Sequence, residues 1–396
     1  MKMKYLDRDI EKIVKAASRR FPAVIVTGPR QSGKTTLLNH IFADSHTYVS
    51  MDNPDTRLMA INEPPLFFDN YKPPLIIDEI QYAPELLSYI KILIDKNRKK
   101  AGQFILTGSQ LFPMMAKVGE SLAGRIAVFT LLSFSIREQF GLPAKLSLDV
   151  LKKRVLTGGF PDVVLGNNIN PELWFSGYLQ TYLERDVRQL RQVGDLTDFQ
   201  RFLQLAAAYN GQAINLSSIS RDLGIAVNTV KAWFSILETS GQIALIKPFY
   251  LNKGKRIIKS PKLYFLDTGL LCYLAGLTSV KQIFKGPMAG QFLETAVLGE
   301  IVRSFYNKGR ISRVFWYKTS DGSEVDFVVE REGKILPIEV KLSSQVNTAM
   351  AKSLFSFCKL FAGKTEKAFV VNLSPERLSL GRDVESIPFS SFVDEL

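Results

Sequence analysis

The segment at residues 28–35, GPRQSGKT, constrains the fold more than any other part of the chain. It fits the pattern G-x-x-x-x-G-K-[ST], follows an apolar run at residues 24–26 and opens a helix-like segment at 36–41. Small glycines let backbone N–H groups surround phosphate groups, and a helix N-terminus adds the positive end of its dipole. The motif therefore predicts a strand, a phosphate-binding loop and a helix, in that order.

The residues of this loop have separate expected roles. Lys34 neutralises the β- and γ-phosphates of a nucleotide, and the Thr35 hydroxyl binds Mg²⁺. ATP and Mg²⁺ are therefore the cofactors expected here. The residues predicted to bind the nucleotide are Gly28, Pro29, Arg30, Gln31, Ser32, Gly33, Lys34, Thr35 and Thr36.

An acidic pair follows the apolar residues 75–77, and this places Asp78 at the carboxyl end of a buried strand. We expect Asp78 to hold Mg²⁺ through water and Glu79 to act as the general base on the attacking water. A second carboxylate directly after the metal ligand favours hydrolysis over simple nucleotide binding. After the next strand, either Ser109 or Thr107 contacts the γ-phosphate or the water, unless both residues only form a turn.

Short apolar runs alternate with helix-like segments over the first 140 residues, as in a parallel sheet with crossover helices. The runs do not alternate with polar residues, which is typical of strands covered on both faces. The chain is therefore predicted to be α/β. The predicted strands are Ala23–Thr27, Thr47–Ser50, 75–77, Phe104–Thr107 and 126–131.

Composition excludes several classes of protein. With 46% apolar and 22% charged residues, the chain has material for packed cores and is not of the disordered class. The longest apolar stretch, residues 126–136, is well short of the ~20 residues of a membrane-spanning helix, and the N-terminus lacks a secretory signal. Cys272 and Cys358 form no CxxC pair, and two histidines in all argue against a His-based triad. We expect a soluble, cytoplasmic protein without a membrane partner.

The positive charge is concentrated in one segment. Of a net charge of +13, residues 201–286 carry +8, with eleven Lys or Arg and three Asp or Glu, whereas residues 287–396 are neutral. A local basic patch indicates a polyanion such as DNA. The alternative is a basic protein with no nucleic-acid ligand.

The same segment predicts a helix-turn-helix at residues 217–224 and 226–234, with Gly224 in the turn. Two strands and the basic loop 253–256 would then complete a winged helix that contacts the DNA backbone. Packing against protein is the alternative use of such a unit. The predicted apolar face of the second helix is Val227, Val230, Phe234 and Leu237, and its predicted exposed side is Asn228, Thr229, Lys231 and Ser235.

A second group of carboxylates lies near the C-terminus. Glu339 and Lys341 are two residues apart, so both project from the same face of one predicted strand. Asp326 precedes a neighbouring strand, thirteen residues before Glu339, and Glu294 lies on a predicted helix that could reach this cluster. The alternative is a strand pair with solvent-facing charges.

Taken together, these motifs resemble a prokaryotic family that joins an AAA-type P-loop ATPase to a C-terminal domain of the restriction-endonuclease-like, PD-(D/E)XK, fold. The stretches that carry the resemblance span nearly the whole chain. They are residues 28–36, 75–81, 107–109, LAGR at 122–125, GGFP at 158–161, TYLERD at 181–186 and KLYFLDTG at 262–269.

The resemblance implies further roles. It implies an arginine finger, for which Arg125 is the first choice, in cis or from a neighbouring subunit, with Arg185 and Arg188 as second choices. A similarity to the PD-(D/E)XK nuclease site implies that Asp326 and Glu339 bind a second Mg²⁺, or Mn²⁺, and that Glu294 completes the metal shell. Lys341 would stabilise the phosphate or orient water.

The sequence therefore predicts an AAA-type ATPase core at residues 1–140, a helical lid at 141–210, a winged helix-turn-helix at 211–275 and a nuclease-like domain at 287–396. Mg²⁺-dependent ATP hydrolysis is the expected activity, with DNA as partner and a homo-oligomer as the assembly. Two hypotheses remain for the C-terminal domain. Either ATP turnover controls DNA binding or cleavage, or the domain is inactive and binds a protein partner in a signalling or assembly ATPase.

Overall fold

The computed structural model describes residues 5–108, 118–141, 146–166, 169–182, 196–250 and 260–396. The chain divides into two compact units. The first unit comprises the residues up to Phe134 together with Thr239–Gly241 and Phe305–Arg310, and the second unit comprises the remainder. Apart from Thr239–Gly241 and Phe305–Arg310, the predicted lid, helix-turn-helix and nuclease-like segments are thus grouped in one unit.

The first unit is built on a five-stranded, fully parallel sheet of order β2-β3-β4-β1-β5. The predicted α/β class and parallel sheet are confirmed. Three strands have the predicted bounds, β3 is one residue longer and β5 is one residue shorter. The strands are β1 Ala23–Thr27, β2 Thr47–Ser50, β3 Leu75–Asp78, β4 Phe104–Thr107 and β5 Ile126–Thr130.

Successive strand residues point to opposite sides of the sheet, and here apolar residues point to both sides. Helices therefore cover both faces. Ile25 and Ile77 pack in one apolar cluster, and Val24, Val26 and Ile76 pack in the other. The central strands therefore lie between two apolar cores, and the loops that follow them all start at the carboxyl end of the sheet. The helices are α1 Glu11–Ser18, α2 Lys34–Phe42, α3 Pro54–Asn62, α4 Pro64–Asn70 and α5 Leu86–Lys96.

The second unit contains an eight-stranded mixed sheet of order β12-β13-β11-β10-β9-β8-β6-β7. The strands are β6 Ile243–Pro248, β7 Lys262–Phe265, β8 Val314–Lys318, β9 Glu324–Arg331, β10 Lys334–Val340, β11 Ala368–Asn372, β12 Leu378–Gly381 and β13 Val384–Pro388.

This sheet crosses the boundary that the sequence predicts at residues 276–286. The antiparallel hairpin of β6 and β7 joins the C-terminal strands because Lys247 and Pro248 of β6 pair in parallel with Phe315 and Trp316 of β8. Backbone pairing between strands far apart in sequence leaves no local signal, so the sequence gives two segments where the fold has one sheet.

Helices of the second unit precede the hairpin, connect it to β8 or pack on the C-terminal strands. Within the predicted helical lid at 141–210, residues 142–145, 167–168 and 183–195 lie outside the described residues. The helices are α6 Ile136–Phe140, α7 Leu148–Thr157, α8 Pro161–Leu165, α9 Pro171–Tyr182, α10 Leu196–Ala208, α11 Leu216–Leu223, α12 Val227–Thr239, α13 Thr268–Leu274, α14 Val280–Lys285, α15 Ala289–Asn307, α16 Lys352–Leu360 and α17 Phe389–Phe392.

Helices α11 and α12 occupy the predicted helix-turn-helix. Asn215 caps α11 by accepting from the N–H groups of Ser217 and Ser218, and Gly224 ends it at φ +72°. The apolar face of α12 differs from the prediction, because Val227 is 41% exposed in the first turn while Trp233 is buried. Asn228 and Lys231 are exposed as predicted, and the basic loop 253–256 lies outside the described residues.

Within the described residues, every helix is too short or too polar to cross a membrane.

Candidate functional site

The phosphate-binding loop connects β1 to α2 at the carboxyl edge of the first unit's sheet. Gly28 has φ +136°, and a Cβ there would lie 2.1 Å from the carbonyl oxygen of Leu131, so no side chain fits. Gly33 has φ +92° at the start of α2. Ser32 is fully buried, and among the described residues no group donates to or accepts from its Oγ. The loop is a backbone cradle of the kind that binds phosphate.

Lys34 lies inside this cradle. Its side chain is 5% exposed, and Nζ donates to the carbonyl oxygens of Pro29 at 2.8 Å and Gly28 at 3.2 Å. The ammonium group is thus held against the loop where phosphate oxygens would bind. Of the other predicted nucleotide ligands, Arg30 donates to the Tyr82 hydroxyl at 2.8 Å.

Asp78 is the centre of a hydroxyl network at the end of β3. Its Oδ atoms accept from Thr35 at 2.9 and 3.1 Å, from Tyr48 at 2.8 Å and from Thr107 at 2.5 Å. Burial, followed by the charge of Asp78, raises the pKa of Tyr48 to about 12. A carboxylate beside a threonine hydroxyl offers the hard oxygen ligands that Mg²⁺ prefers, so Thr35 and Asp78 fit this ion.

Glu79 follows in an unusual backbone conformation, with φ 57° and ψ 46°. This left-handed region costs a non-glycine residue about 1–3 kcal/mol, and such residues cluster at active sites. The Glu79 N–H donates to Thr107 Oγ1 at 2.9 Å, and Gln81 Nε2 donates to the Glu79 carboxylate. Thr107 therefore connects both acidic residues, whereas Ser109 lies outside the described residues.

Sequence reasoning missed Tyr48 and Gln81. Tyr48 is on β2, which pairs with β3 so that Ser50 is beside Asp78. Gln81 is part of the IIDEIQ stretch that supports the family resemblance, but nothing in the pattern indicates its contact with Glu79. Both contacts depend on which strand lies beside β3 and how the chain turns after it.

Arg125 lies at the amino ends of the strands, opposite the carboxyl ends that carry the phosphate loop. Its carbonyl accepts from Ala23 N–H, and it precedes β5, which starts beside the start of β1. Five strand residues, about 16 Å, separate that end from the phosphate loop. Its guanidinium forms two hydrogen bonds to Asp95, at 2.8 and 3.0 Å. This position does not suit a finger in cis, and the role in trans stays a prediction. Arg185 and Arg188 lie outside the described residues.

The predicted C-terminal site residues meet in the second unit. Ile338 of β10 pairs with Phe327 of β9, so Glu339 comes beside Asp326. Val340 N–H donates to Asp326 Oδ2 at 2.8 Å, and Lys341 Nζ donates to Glu339 Oε1 at 2.5 Å. The sequence suggested that Asp326 precedes a strand, but in the structure Asp326 lies within β9. We call Glu294, Glu324, Asp326 and Glu339 the carboxylate cluster.

Burial, together with the crowding of like charges, determines the electrostatics of this cluster. Burial, reinforced by the charge of Asp326, raises the pKa of Glu339 to about 8 and that of Glu294 to about 7. Burial also raises the pKa of Asp326. Glu339 is 6% exposed, and within the described part of the chain no group donates to its Oε2. An unpaired buried carboxylate oxygen among like charges fits a divalent cation.

Two members of this region were missed by sequence reasoning. Tyr264 donates to Glu294 Oε2 at 2.8 Å, and Lys262 forms an ion pair with Glu324. Both residues lie on β7, two apart, and therefore on one face of that strand. They belong to the KLYFLDTG stretch, which the sequence marks as part of the resemblance without indicating a role.

A tighter group of possible metal ligands lies in the first unit. One ligand atom from each of Asp7, Glu11 and His40 lies within 4.8 Å of the others. In the described ranges, the carboxylate cluster does not meet that spacing. Asp7 is exposed, and exposed acidic groups are common without an ion, so this group is not assigned a role.

Comparisons with known proteins divide the chain into three matched segments. A family model described as an AAA domain matches residues 20–140. Two models described as domains of unknown function, DUF8612 and DUF4143, match residues 148–281 and 289–392.

Individual proteins are also similar to this chain. An uncharacterised protein of Mycobacterium tuberculosis is 28% identical over 85% of this chain and 74% of its own length. A Walker-type ATPase of Pyrococcus abyssi is 15% identical, with 68% of this chain and 96% of that chain covered and a TM-score of 0.45. RuvB of Thermotoga maritima is 16% identical, with coverage of 60% and 87% and a TM-score of 0.31.

The AAA domain match covers the residues that form the parallel sheet, the phosphate loop and the Asp78 network. The match and this geometry together support an AAA-type P-loop ATPase.

Proposed function

We propose that the first unit hydrolyses ATP in a Mg²⁺-dependent reaction. The observation that carries the proposal is the network in which Thr107 contacts both Asp78 and Glu79, while Thr35 contacts Asp78. This network brings a hydroxyl and a carboxylate that can bind Mg²⁺ next to a second carboxylate, that of Glu79, which Gln81 contacts. Such a pair separates the binding of the ion from the activation of water.

In the proposed reaction, Lys34 and the loop N–H groups hold the β- and γ-phosphates. Thr35 and Asp78 would hold Mg²⁺, which neutralises phosphate charge when it is bound. Glu79 accepts a proton from water as the water oxygen bonds to the γ-phosphorus and the bond to the β,γ-bridging oxygen breaks. Gln81 and Thr107 orient Glu79 through its carboxylate and its backbone N–H.

The test is ATP turnover by Glu79→Gln, with Glu63→Gln as a matched control on an exposed residue of the same unit. We expect Glu79→Gln to bind ATP and to lose about 10²–10⁴-fold in turnover, because the general base is removed and the metal ligands remain. The control should hydrolyse ATP like the wild type. Near-normal turnover of Glu79→Gln would contradict the role of Glu79.

A second proposed function belongs to the C-terminal residues. The unpaired Glu339 Oε2, with Asp326, Glu294 and Lys341 around it, supports metal-dependent hydrolysis of a phosphodiester in DNA. A water molecule would lose a proton to solvent as its oxygen bonds to phosphorus, the bond to the sugar oxygen would break, and that oxygen would take up a proton from solvent. Lys341 is 37% exposed at its side chain, so it can contact a phosphate while it remains paired with Glu339.

Nicking of plasmid and branched DNA, with Mg²⁺ or Mn²⁺, tests this function. We expect cleavage by the wild type, loss of cleavage in Asp326→Ala and reduced cleavage with retained DNA binding in Lys341→Ala. ATP hydrolysis should persist in both variants. Cleavage that is unchanged in both would exclude this site. Absence of wild-type cleavage would favour the alternative, a C-terminal domain that binds a protein partner.

DNA is the proposed partner of residues 201–286. The net charge of +8 in this segment and the exposed Lys231 on α12 support contact with phosphates. We expect DNA to stimulate ATP hydrolysis, and the stimulation to fall steeply between 50 and 200 mM salt. Lys231→Gln should weaken it more than Lys352→Gln, an exposed lysine on α16. Turnover that does not respond to DNA at either salt concentration would favour the protein-partner hypothesis.

A further inference from the structure

Strand β7 contributes to the carboxylate cluster although it is distant in the sheet. In the strand order, β8 and β6 separate β7 from β9. The Tyr264 ring nevertheless lies 5.5 Å from the Phe327 ring of β9, and Lys262 Nζ lies 5.3 Å from the Trp316 ring of β8. The sheet therefore curls so that β7 side chains lie over the face formed by β8 and β9.

The ion pairs in this region leave an excess of negative charge. Lys262 pairs with Glu324, which Lys318 also contacts from a more exposed position, and Lys341 pairs with Glu339. Across the described residues, Glu294 and Asp326 have hydrogen bonds but no ion-pair partner. Two buried carboxylates without a cation correspond to the charge of one divalent ion.

We propose that β7 supplies two positioning residues to the C-terminal metal site. Tyr264 holds Glu294 as a ligand, and Lys262 holds Glu324 away from the ion, so that the site binds one divalent cation. This inference rests on the proposed metal site of the second unit. It makes the site a composite of the hairpin and the C-terminal strands.

The role of Tyr264 follows from its contact and its burial. Its side chain is fully buried, and its hydroxyl occupies Glu294 Oε2. One oxygen of Glu294 is thus fixed by the protein, and the other is left for a cation. Residues that orient a metal ligand in this way typically contribute about 10–100-fold to metal affinity.

Lys262 acts through charge. It is 8% exposed and pairs with Glu324, which is two residues from Asp326 on the same strand. Burial raises the pKa of Glu294 and Asp326, and the positive charge of Lys262 offsets part of that rise, so Lys262 lies within electrostatic range of the proposed ligands. A cation in that position neutralises Glu324 and also repels a divalent ion. Its removal should therefore free a carboxylate and increase the attraction for the ion. This effect has the opposite sign to that of removing the Tyr264 hydroxyl.

The experiment is titration of nucleotide-free, full-length protein with Mn²⁺ by calorimetry. Asp326→Ala identifies the part of the binding that belongs to this site. We expect Tyr264→Phe to bind Mn²⁺ about 10–100-fold more weakly. Lys262→Gln should bind it roughly three- to tenfold more tightly, or bind a second ion. Tyr209→Phe removes a tyrosine–carboxylate hydrogen bond elsewhere in the same unit, to Asp222, and should match the wild type.

Lys262→Arg keeps the charge and should keep wild-type affinity, which separates charge from side-chain fit. Thermal unfolding without metal shows that each variant is folded before titration. Equal weakening in Tyr264→Phe and Lys262→Gln, or wild-type affinity in both, would overturn the roles assigned to β7. Wild-type protein without any Mn²⁺ binding that Asp326→Ala removes would instead overturn the proposed metal site itself.

Discussion

The phosphate site of the first unit and the carboxylate cluster of the second differ in how the chain builds them. Eight consecutive residues form the phosphate loop, and the residues that join it follow the ends of neighbouring parallel strands. The cluster draws its side chains from β7, α15, β9 and β10. The phosphate loop can be recognised as a sequence motif because neighbouring residues form it. The carboxylate cluster depends on how a mixed sheet curls.

Their carboxylates differ as well. Asp78 accepts hydrogen bonds from Thr35, Tyr48 and Thr107, so its charge is well solvated by the protein. Glu339 has a single lysine partner and one buried oxygen that no described group contacts. The hydrogen bonds to Asp78 are therefore formed before any ligand binds. The carboxylate cluster instead carries excess negative charge, which a bound cation would neutralise.

The largest expected effect is that one substitution abolishes the function of one site and leaves the other site unchanged. Lys34→Ala should abolish ATP hydrolysis, because the main cation for the β- and γ-phosphates is lost, and it should leave Mn²⁺ binding at the cluster intact. Asp326→Ala should do the reverse. Steady-state ATP turnover and Mn²⁺ calorimetry on both variants test this. Loss of both properties in either variant would show that the sites are not independent.

Arg125 gives the next largest effect if it acts across subunits. Arg125→Ala should bind ATP and hydrolyse it about 10³-fold or more slowly, and mixing with Lys34→Ala protein should restore part of the activity. Arg98→Ala, on an exposed arginine of the same unit, is the control. Wild-type specific activity should rise with concentration through the assembly range. Activity independent of concentration down to a demonstrated monomer would rule out the role in trans.

The contrast between the two carboxylates predicts stability changes of opposite sign. Asp78→Ala leaves three hydroxyls without their acceptor and should lower the free energy of unfolding by about 1–3 kcal/mol. Glu339→Gln removes the charge that Glu339 carries above its pKa of about 8, so at about pH 9 without metal it should raise the free energy of unfolding by about 1 kcal/mol. Chemical denaturation in a metal-free buffer measures both. Destabilisation by both substitutions would contradict the charge excess at the cluster.

The smallest effect concerns pH and the first unit. Burial lowers the pKa of His46, whose Nε2 contacts the Gly102 carbonyl oxygen at 2.9 Å. The folded state therefore favours neutral His46, and this contribution is present above the unfolded pKa of about 6.5 and is lost as the pH falls. His46→Gln should make the unfolding midpoint less sensitive to pH between 7 and 5. Identical pH profiles for both proteins would refute this.

Much of the first unit could be predicted from sequence. Uninterrupted apolar runs define the strands, and the loop motif places Lys34 and Thr35, because these features depend on neighbours in the chain. The position of Arg125 also follows from these runs, because Arg125 directly precedes a strand of a parallel sheet and therefore lies at the amino ends of the strands, away from the phosphate loop. Tyr48 was missed because its contact with Asp78 depends on strand order.

In the second unit, the sequence identified Glu294, Asp326, Glu339 and Lys341 as neighbours but missed Lys262, Tyr264 and the joining of β6 to β8. Period-two alternation determines which side chains share a face of one strand, and it carries no information about pairing between distant strands. Local sequence patterns thus identify the residues that can bind phosphate and metal. Tertiary folding alone brings β7 over β9, because hydrophobic burial and sheet curvature act on strands about sixty residues apart.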